Sequence, residues 1–289
     1  MLNYFIVDAF SDKPFKGNPV AVFTDCDDLS EKTMQSIARQ MNLSETTFIQ
    51  SPKKCGDACV KIFTPVNQLS FAGHPLLGTA LVLYLLQKKN NILVETKKGV
   101  FNFCISFHSN NSGYTSAHVL MEQPNPIINE YEYKNELLLA AGIEKSTLPI
   151  EIYDVGPRHV FIGLENEKQL SLVCPDYKKL SEHIDMALLC FSPSEQSHWR
   201  LRMFSPAYGV VEDSATGSAI GPLALHLCRY GLYNYNEKIE IIQGVEIKRK
   251  ACMYGYAENH DNVIKLKAGG VALLMGKGQY FIQENMYVK

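Results

Sequence analysis

The stretch "LSEKTMQSIARQMNL" sets Met34, Ile37, Ala38 and Met41 at the spacing of one helical face. Ser30 stands where an N-cap belongs, and Asn42 ends the pattern. "ETTFI" follows as a strand, so Glu45 falls where helix gives way to sheet. Further short strands are predicted at "ACVKIF", "NILVET", "VFNFCISF" and "TSAHVLM", with "HSNNSG" turning the last two into a hairpin. "EQPNPII" interrupts the pattern with two prolines and places a domain boundary near Pro124–Pro126. The expected domains are 1–125 and 126–289, with terminal strands allowed to cross between them. The second half predicts a helix at "NELLLAAGI" and a turn and strand at "DVGPRHVFIGL". A strand, glycine turn and second strand are predicted at "NVIKLKAGGVALLMGKGQYFIQ".

Two distant segments echo each other. "IFTPVNQLSFAGHPLLGTALVLYLL" and "MFSPAYGVVEDSATGSAIGPLALHLC" each begin with an apolar residue, Phe, Thr or Ser, then Pro. Each reaches Gly plus a polar residue, Gly73-His74 and Gly217-Ser218, and then launches an apolar helix. Two copies of one supersecondary unit predict two similar domains about a pseudo-twofold axis. The helices, expected over 75–87 and 219–229, have almost no polar face: Leu76, Leu77, Ala80, Leu81, Val82, Leu83, Leu85 and Leu86 fill the first. A soluble helix that is apolar all round is buried all round. The predicted fold class is therefore α+β, each domain a curled, mostly antiparallel, barrel-like sheet around one central buried helix.

The start of each buried helix is the natural place for chemistry. Pro75 suits the first helical position, which makes His74 the expected N-cap, with Ser218 in the equivalent place. Facing helix starts would offer N–H groups and partial positive charge to a small anion, most simply a carboxylate, at Gly73–Pro75 and Gly217–Ala219. Glu45 is either an exposed glutamate at a strand start or a half-buried carboxyl that takes and returns a proton. His74 caps a helix or relays a proton. Asp213 favours the helix dipole or orients substrate, and Ser218 caps or hydrogen-bonds substrate.

Composition narrows the classes. The 289-residue chain is 46% hydrophobic and 20% charged, as in a globular protein with a core, and its net charge of -2 gives no electrostatic case for nucleic acid or an acidic membrane surface. "MLNYFIVDAF" reads as a strand rather than a signal peptide, and "LLGTALVLYLL" is too short to span a bilayer. Eight scattered cysteines without a secretion signal suggest reduced thiols and a cytoplasmic protein. Cys55 and Cys59 form the one close pair, with no second pair or histidine cluster to complete a metal site. No dinucleotide fingerprint or phosphate loop is present, and "GSAIG" does not have the spacing of a nucleophile elbow.

"DAFSDKPFKGNPVAVF", "NLSETTFI", "FTPVNQLSFAGHPLLGTA" and "SPAYGVVEDSATGSAIGPLA", in this order, resemble the PhzF-like isomerases of phenazine biosynthesis, relatives of diaminopimelate epimerase. The resemblance runs over nearly the whole chain. It implies a cytoplasmic homodimer with no cofactor and no metal, with the active site between the domains. By motif it implies Glu45 as the proton-transferring residue, supported by His74, Asp213 and Ser218. Asn18 of "GNP" matches a family turn position, and Gly73, Pro75, Gly217 and Ala219 line the expected substrate site. Ser214 stands where the family more often has proline. Related two-base racemases place a cysteine where this chain has Gly73 and Gly217, which favours a single carboxyl moving a proton on one face. The best-known family substrate is trans-2,3-dihydro-3-hydroxyanthranilate. The alternatives carried forward are an amino- or imino-acid epimerase and a non-catalytic binding member of the same fold.

Overall fold

The computed structural model describes residues 1–107, 113–196 and 198–282. The chain forms two compact units, Met1–Glu122 with Gly269–Lys289, and Gln123–Ala268. The first contains β1 (Leu2–Ala9), β2 (Asn18–Phe23), α1 (Glu31–Met41), β3 (Glu45–Gln50), β4 (Ala58–Phe63), β5 (Gln68–Leu69), α2 (Gly73–Gln87), β6 (Asn91–Glu95), β7 (Val100–Phe107) and β8 (Ser116–Gln123). The second contains β9 (Ile127–Glu130), α3 (Lys134–Ala141), β10 (Glu151–Asp154), β11 (Arg158–Gly163), α4 (Glu167–Leu172) and α5 (Tyr177–Leu180). It continues with β12 (Ala187–Pro193), β13 (Trp199–Ser205), β14 (Val210–Asp213), α6 (Ile220–Arg229), β15 (Ile239–Gln243) and β16 (Ala251–His260). A long last strand, β17 (Val263–Tyr280), ends in the first unit.

In the first unit β1 and β2 pair antiparallel, β2 and β3 parallel, β3 and β4 antiparallel, β4 and β6 parallel, β6 and β7 antiparallel, β7 and β8 antiparallel. β17 pairs with both β8 and β1, so the sheet closes on itself. A closed sheet has no edge and a lined interior, and α2 fills it. Every residue of α2 from Gly73 to Leu83 is buried, and the helix packs on β1, β2, β3, β6 and β7. Burying a leucine or valine stabilises by roughly 1.5–3 kcal/mol, so this helix is held by its surroundings rather than by propensity. Gly78 lets it sit close: a Cβ there would meet Val20 Cγ1 at 2.4 Å. Enclosure ends at the last turn, where Leu86 is 55% exposed, so the apolar run outlasts the barrel by a turn. α1 forms as its pattern predicts. Ser30 Oγ accepts the Thr33 N–H, Met34, Ile37 and Ala38 are buried, and Asn42 ends the helix at φ 52°.

The second unit repeats the same succession. β10 and β11 pair antiparallel, β11 and β12 parallel, β12 and β13 antiparallel, β13 and β15 parallel, β15 and β16 antiparallel. β9 lies antiparallel to β10. Helices occupy the same two parallel crossovers in each unit: α1 matches α4 and α5, and α2 matches α6. α6 is buried from Ile220 to Cys228 and packs on β16. The repeat read from two short segments thus extends to the order and direction of the strands.

The glycine turn at Gly269-Gly270 is not a turn, because β17 runs through it as one strand. Gly269 is there for space: a Cβ would meet Val119 O of β8 at 2.8 Å and Leu120 Cδ1 at 3.0 Å. β7 and β8 do pair antiparallel, while the "HSNNSG" turn itself falls largely on residues 108–112, outside the described residues. Among the described residues no helix is long and apolar enough to cross a membrane.

Candidate active site

Glu45 opens β3, opposite Val20 of β2. Side chains two apart on a strand share a face, so Glu45 and Thr47 both point to α2. The Thr79 hydroxyl donates to the Pro75 carbonyl at 2.7 Å, which leaves the Thr47 hydroxyl to donate to Thr79 at 2.8 Å. This link fixes β3 against the first turns of α2. One turn earlier, His74 Nε2 lies 3.1 Å from Glu45 Oε2, within contact but without the alignment of a good hydrogen bond. On its other side His74 Nδ1 lies 3.2 Å from Asn18 Nδ2, the first residue of β2.

Protonation follows from this geometry. Burial pushes the His74 imidazole down to about 3, so the ring is neutral at physiological pH. The Asn18 amide nitrogen can only donate, so Nδ1 accepts and the ring proton sits on Nε2, toward Glu45. The contact is therefore a neutral N–H beside a carboxyl group, not an ion pair. Asn18, Glu45 and His74, named separately from sequence, are brought together.

His74 is not the N-cap. The helix begins at Gly73, the extended Ala72 is the N-cap, and Pro75 is the third helical residue. Proline needs no N–H donor in a first turn and is tolerated two positions later than expected. The start of α2 has no side-chain cap. Ser218 is likewise not a cap: it lies inside a short 3-10 turn, Gly217–Ala219, and Ala219 is the N-cap of α6.

In the second unit Asp213 ends β14. Its Oδ1 accepts the Ser214 N–H at 3.0 Å and its Oδ2 accepts the Thr216 hydroxyl at 2.8 Å. Gln243, fully buried at the end of β15, braces the same loop. It donates to Asp213 O at 2.9 Å and Thr216 Oγ1 at 3.0 Å, and accepts the Thr216 N–H at 3.0 Å. Gln123 spans the next turn, donating to Gly217 O at 2.9 Å and accepting the Gly221 N–H at 2.8 Å. Glu212 is held by Arg202 through two bonds of 2.9 Å, a planar pairing that anchors β14 beside Asp213. Ser218 Oγ lies 3.1 Å from His159 Nε2.

Gln123, His159 and Gln243 escaped the sequence reading. Each lies at or next to the end of a strand, with no motif around it. Only the repeat could have flagged His159, which stands near the start of β11 as Asn18 stands at the start of β2.

Comparison with known proteins decides the family. The sequence profile of the phenazine biosynthesis-like protein family, PhzC-PhzF, matches residues 7–278. The chain belongs to this family. It is 50% identical over 279 residues to the trans-2,3-dihydro-3-hydroxyanthranilate isomerase of Pseudomonas chlororaphis, covering 96% of this chain and 99% of that protein. It is 48% identical over 280 residues to the enzyme of the same name from Pseudomonas aeruginosa, with the same coverage. A solved structure of a PhzF-family phenazine biosynthesis protein from Bacillus anthracis superposes with a TM-score of 0.84 at 25% identity, covering 97% of this chain and 99% of that one. Like its near relatives in the PhzC-PhzF family, this chain is an isomerase.

Proposed function

We propose that this chain isomerises trans-2,3-dihydro-3-hydroxyanthranilate, or a close carboxylate-bearing analogue, by a proton shift in which Glu45 is the base and then the acid. One observation carries the reading: a carboxyl group at a strand start stands 3.1 Å from a neutral, buried imidazole whose other nitrogen is already engaged by Asn18. Glu45 takes a proton from carbon, the electron pair delocalises over the conjugated substrate, and the same carboxyl returns the proton to another carbon. No atom is gained or lost and nothing is oxidised, so the reaction asks for no redox cofactor. The Nε2–H of His74 steadies the carboxylate, and the uncapped first turn of α2 favours negative charge nearby.

Asp213 and Ser218 assist the same reaction, and Gly73, Pro75, Gly217 and Ala219 line the substrate site. With Gly73 and Gly217 at the helix starts, no pair of thiols is available there for two-base epimerisation. A cytoplasmic homodimer without metal is part of the same proposal, and sedimentation of the purified chain tests the assembly.

The deciding experiment is Glu45→Gln assayed with this compound. The substitution keeps shape and removes the base. Turnover is expected to fall by on the order of 10² to 10⁴ with substrate affinity little changed. A variant as active as the parent removes Glu45 from the mechanism.

A further inference from the structure

The start of β11 does in the second unit what the start of β2 does in the first. Asn18 reaches the residue after Gly73, and His159 reaches the residue after Gly217. His159 is 1% exposed, and its Nε2 lies 3.1 Å from Ser218 Oγ. Among the described residues its Nδ1 has no hydrogen-bond partner. Burial pushes this imidazole down to about 3, so the ring is neutral and carries a single N–H. An orphaned buried N–H is rarer than an under-used acceptor, so the proton belongs on Nε2, where an oxygen awaits it.

We infer that His159 is a positioning residue that donates from Nε2 to Ser218 Oγ and so leaves the serine's own O–H to donate to a substrate oxygen. A serine hydroxyl has one proton and two lone pairs. With one lone pair taken by His159, the proton is not drawn back onto the ring. The Ser218 proton is then available to a substrate oxygen such as a carboxylate or a developing oxyanion. Gln123 holds the turn on both sides, at Gly217 O and the Gly221 N–H, so the hydroxyl is fixed in place as well as in polarity. The inference rests on the reading of Ser218 as a substrate contact.

Two measurements test it, one of them without substrate. Nitrogen-15 NMR of labelled histidines in the intact protein reads the tautomer. The expected signal for His159 is the neutral Nε2–H form from pH 5 to pH 8, with the Nε2 resonance displaced in Ser218→Ala. An Nδ1–H form, or a resonance indifferent to loss of the hydroxyl, overturns the inference.

The second measurement is a double-mutant cycle on kcat/KM. His159→Phe and Ser218→Ala are each expected to lower it by on the order of 10-fold, with His159→Gln recovering part of the loss. Adding His159→Phe to Ser218→Ala is expected to cost nothing more. Additive losses overturn the inference, because a histidine that merely fills the core would weaken both backgrounds alike. If His159→Phe does not fold, His159→Gln takes its place in the cycle. If the parent leaves trans-2,3-dihydro-3-hydroxyanthranilate unchanged, the substrate assignment falls and the NMR result still decides the role of His159.

Discussion

Both helix starts use an imidazole and a carboxylate, but place them differently. At α2 the imidazole rides on the helix and the amide of Asn18 comes from the strand. Ahead of α6 the hydroxyl of Ser218 rides on the turn and the imidazole of His159 comes from the strand. The carboxylates differ more. Glu45 is placed against an imidazole, whereas Asp213 accepts from Ser214 N and Thr216 Oγ1 inside a loop braced by Gln243. A carboxylate committed to holding its own loop is a poor shuttle for a proton. The two copies therefore share a scaffold and differ at the carboxylate, which faces an imidazole in one and holds its own loop in the other.

The largest effect expected from this contrast is on turnover. Asp213→Asn keeps an acceptor for Thr216 and is expected to lower kcat by less than Glu45→Gln, on the order of 10-fold against 10² to 10⁴. Side-by-side single-turnover measurements check it, and a reversed order would move the shuttle to Asp213.

The next effect is on stability, where the copies should agree. Leu81 of α2 and Leu223 of α6 are both fully buried. Each Leu→Ala change is expected to cost about 2–5 kcal/mol in urea unfolding. A loss below about 1 kcal/mol at either position would mean that its helix is not enclosed as described.

Smaller, and confined to the first unit, is the effect of Asn18→Leu. Removing the amide strands His74 Nδ1 and frees the ring to take the other tautomer. Turnover is expected to drop by on the order of 10-fold, with the NMR signature of His74 moving away from Nε2–H.

The gentlest probe is pH. His74, His159 and His226 are all pushed down by burial, to about 3, 3 and 4, and the less buried His183 is also lowered. The folded chain keeps these rings neutral while the unfolded chain protonates them near 6.5. Stability is thus full above about pH 6.5 and is lost as pH falls toward 4, by up to about 1.4 kcal/mol per pH unit per ring. Urea midpoints between pH 7 and pH 5 check the slope, and His159→Phe should lower it by one proton's worth. A midpoint independent of pH would contradict the neutral tautomers assigned at both helix starts.

Much of this was legible in the residues because the signals were local. The caps of α1, the wholly apolar helices and the repeated Phe-Thr/Ser-Pro lead-in are properties of short windows. Glu45 and His74 were marked by their places at the starts of a strand and a helix, and their assignment to chemistry came from the family motifs. The rest depended on distance. Asn18 meets His74 only after β2 is laid beside β3, and Gln243 braces Asp213 from 30 residues away. The glycine pair at 269–270 misled because a glycine needed for room looks the same in sequence as one needed for a turn. The cap positions slipped by one or two residues because proline in a first turn permits more than one start.

The final strand has a bearing on how the protein is born. Asn3 and Gln279 touch across a separation of 276 residues, and β17 supplies the stave that closes the first barrel. During synthesis β1 to β8 emerge before the second unit, yet the first barrel lacks one of its staves until β17 follows that unit. The second unit, Gln123–Ala268, is one uninterrupted stretch and has its whole sequence in hand sooner. The order of manufacture and the order of completion are therefore expected to be reversed. Until β17 has left the ribosome, the apolar helix α2 sits in an open barrel with β1 and β8 as bare edges, and the nascent chain is most exposed to chaperones and proteases in the half that holds Glu45.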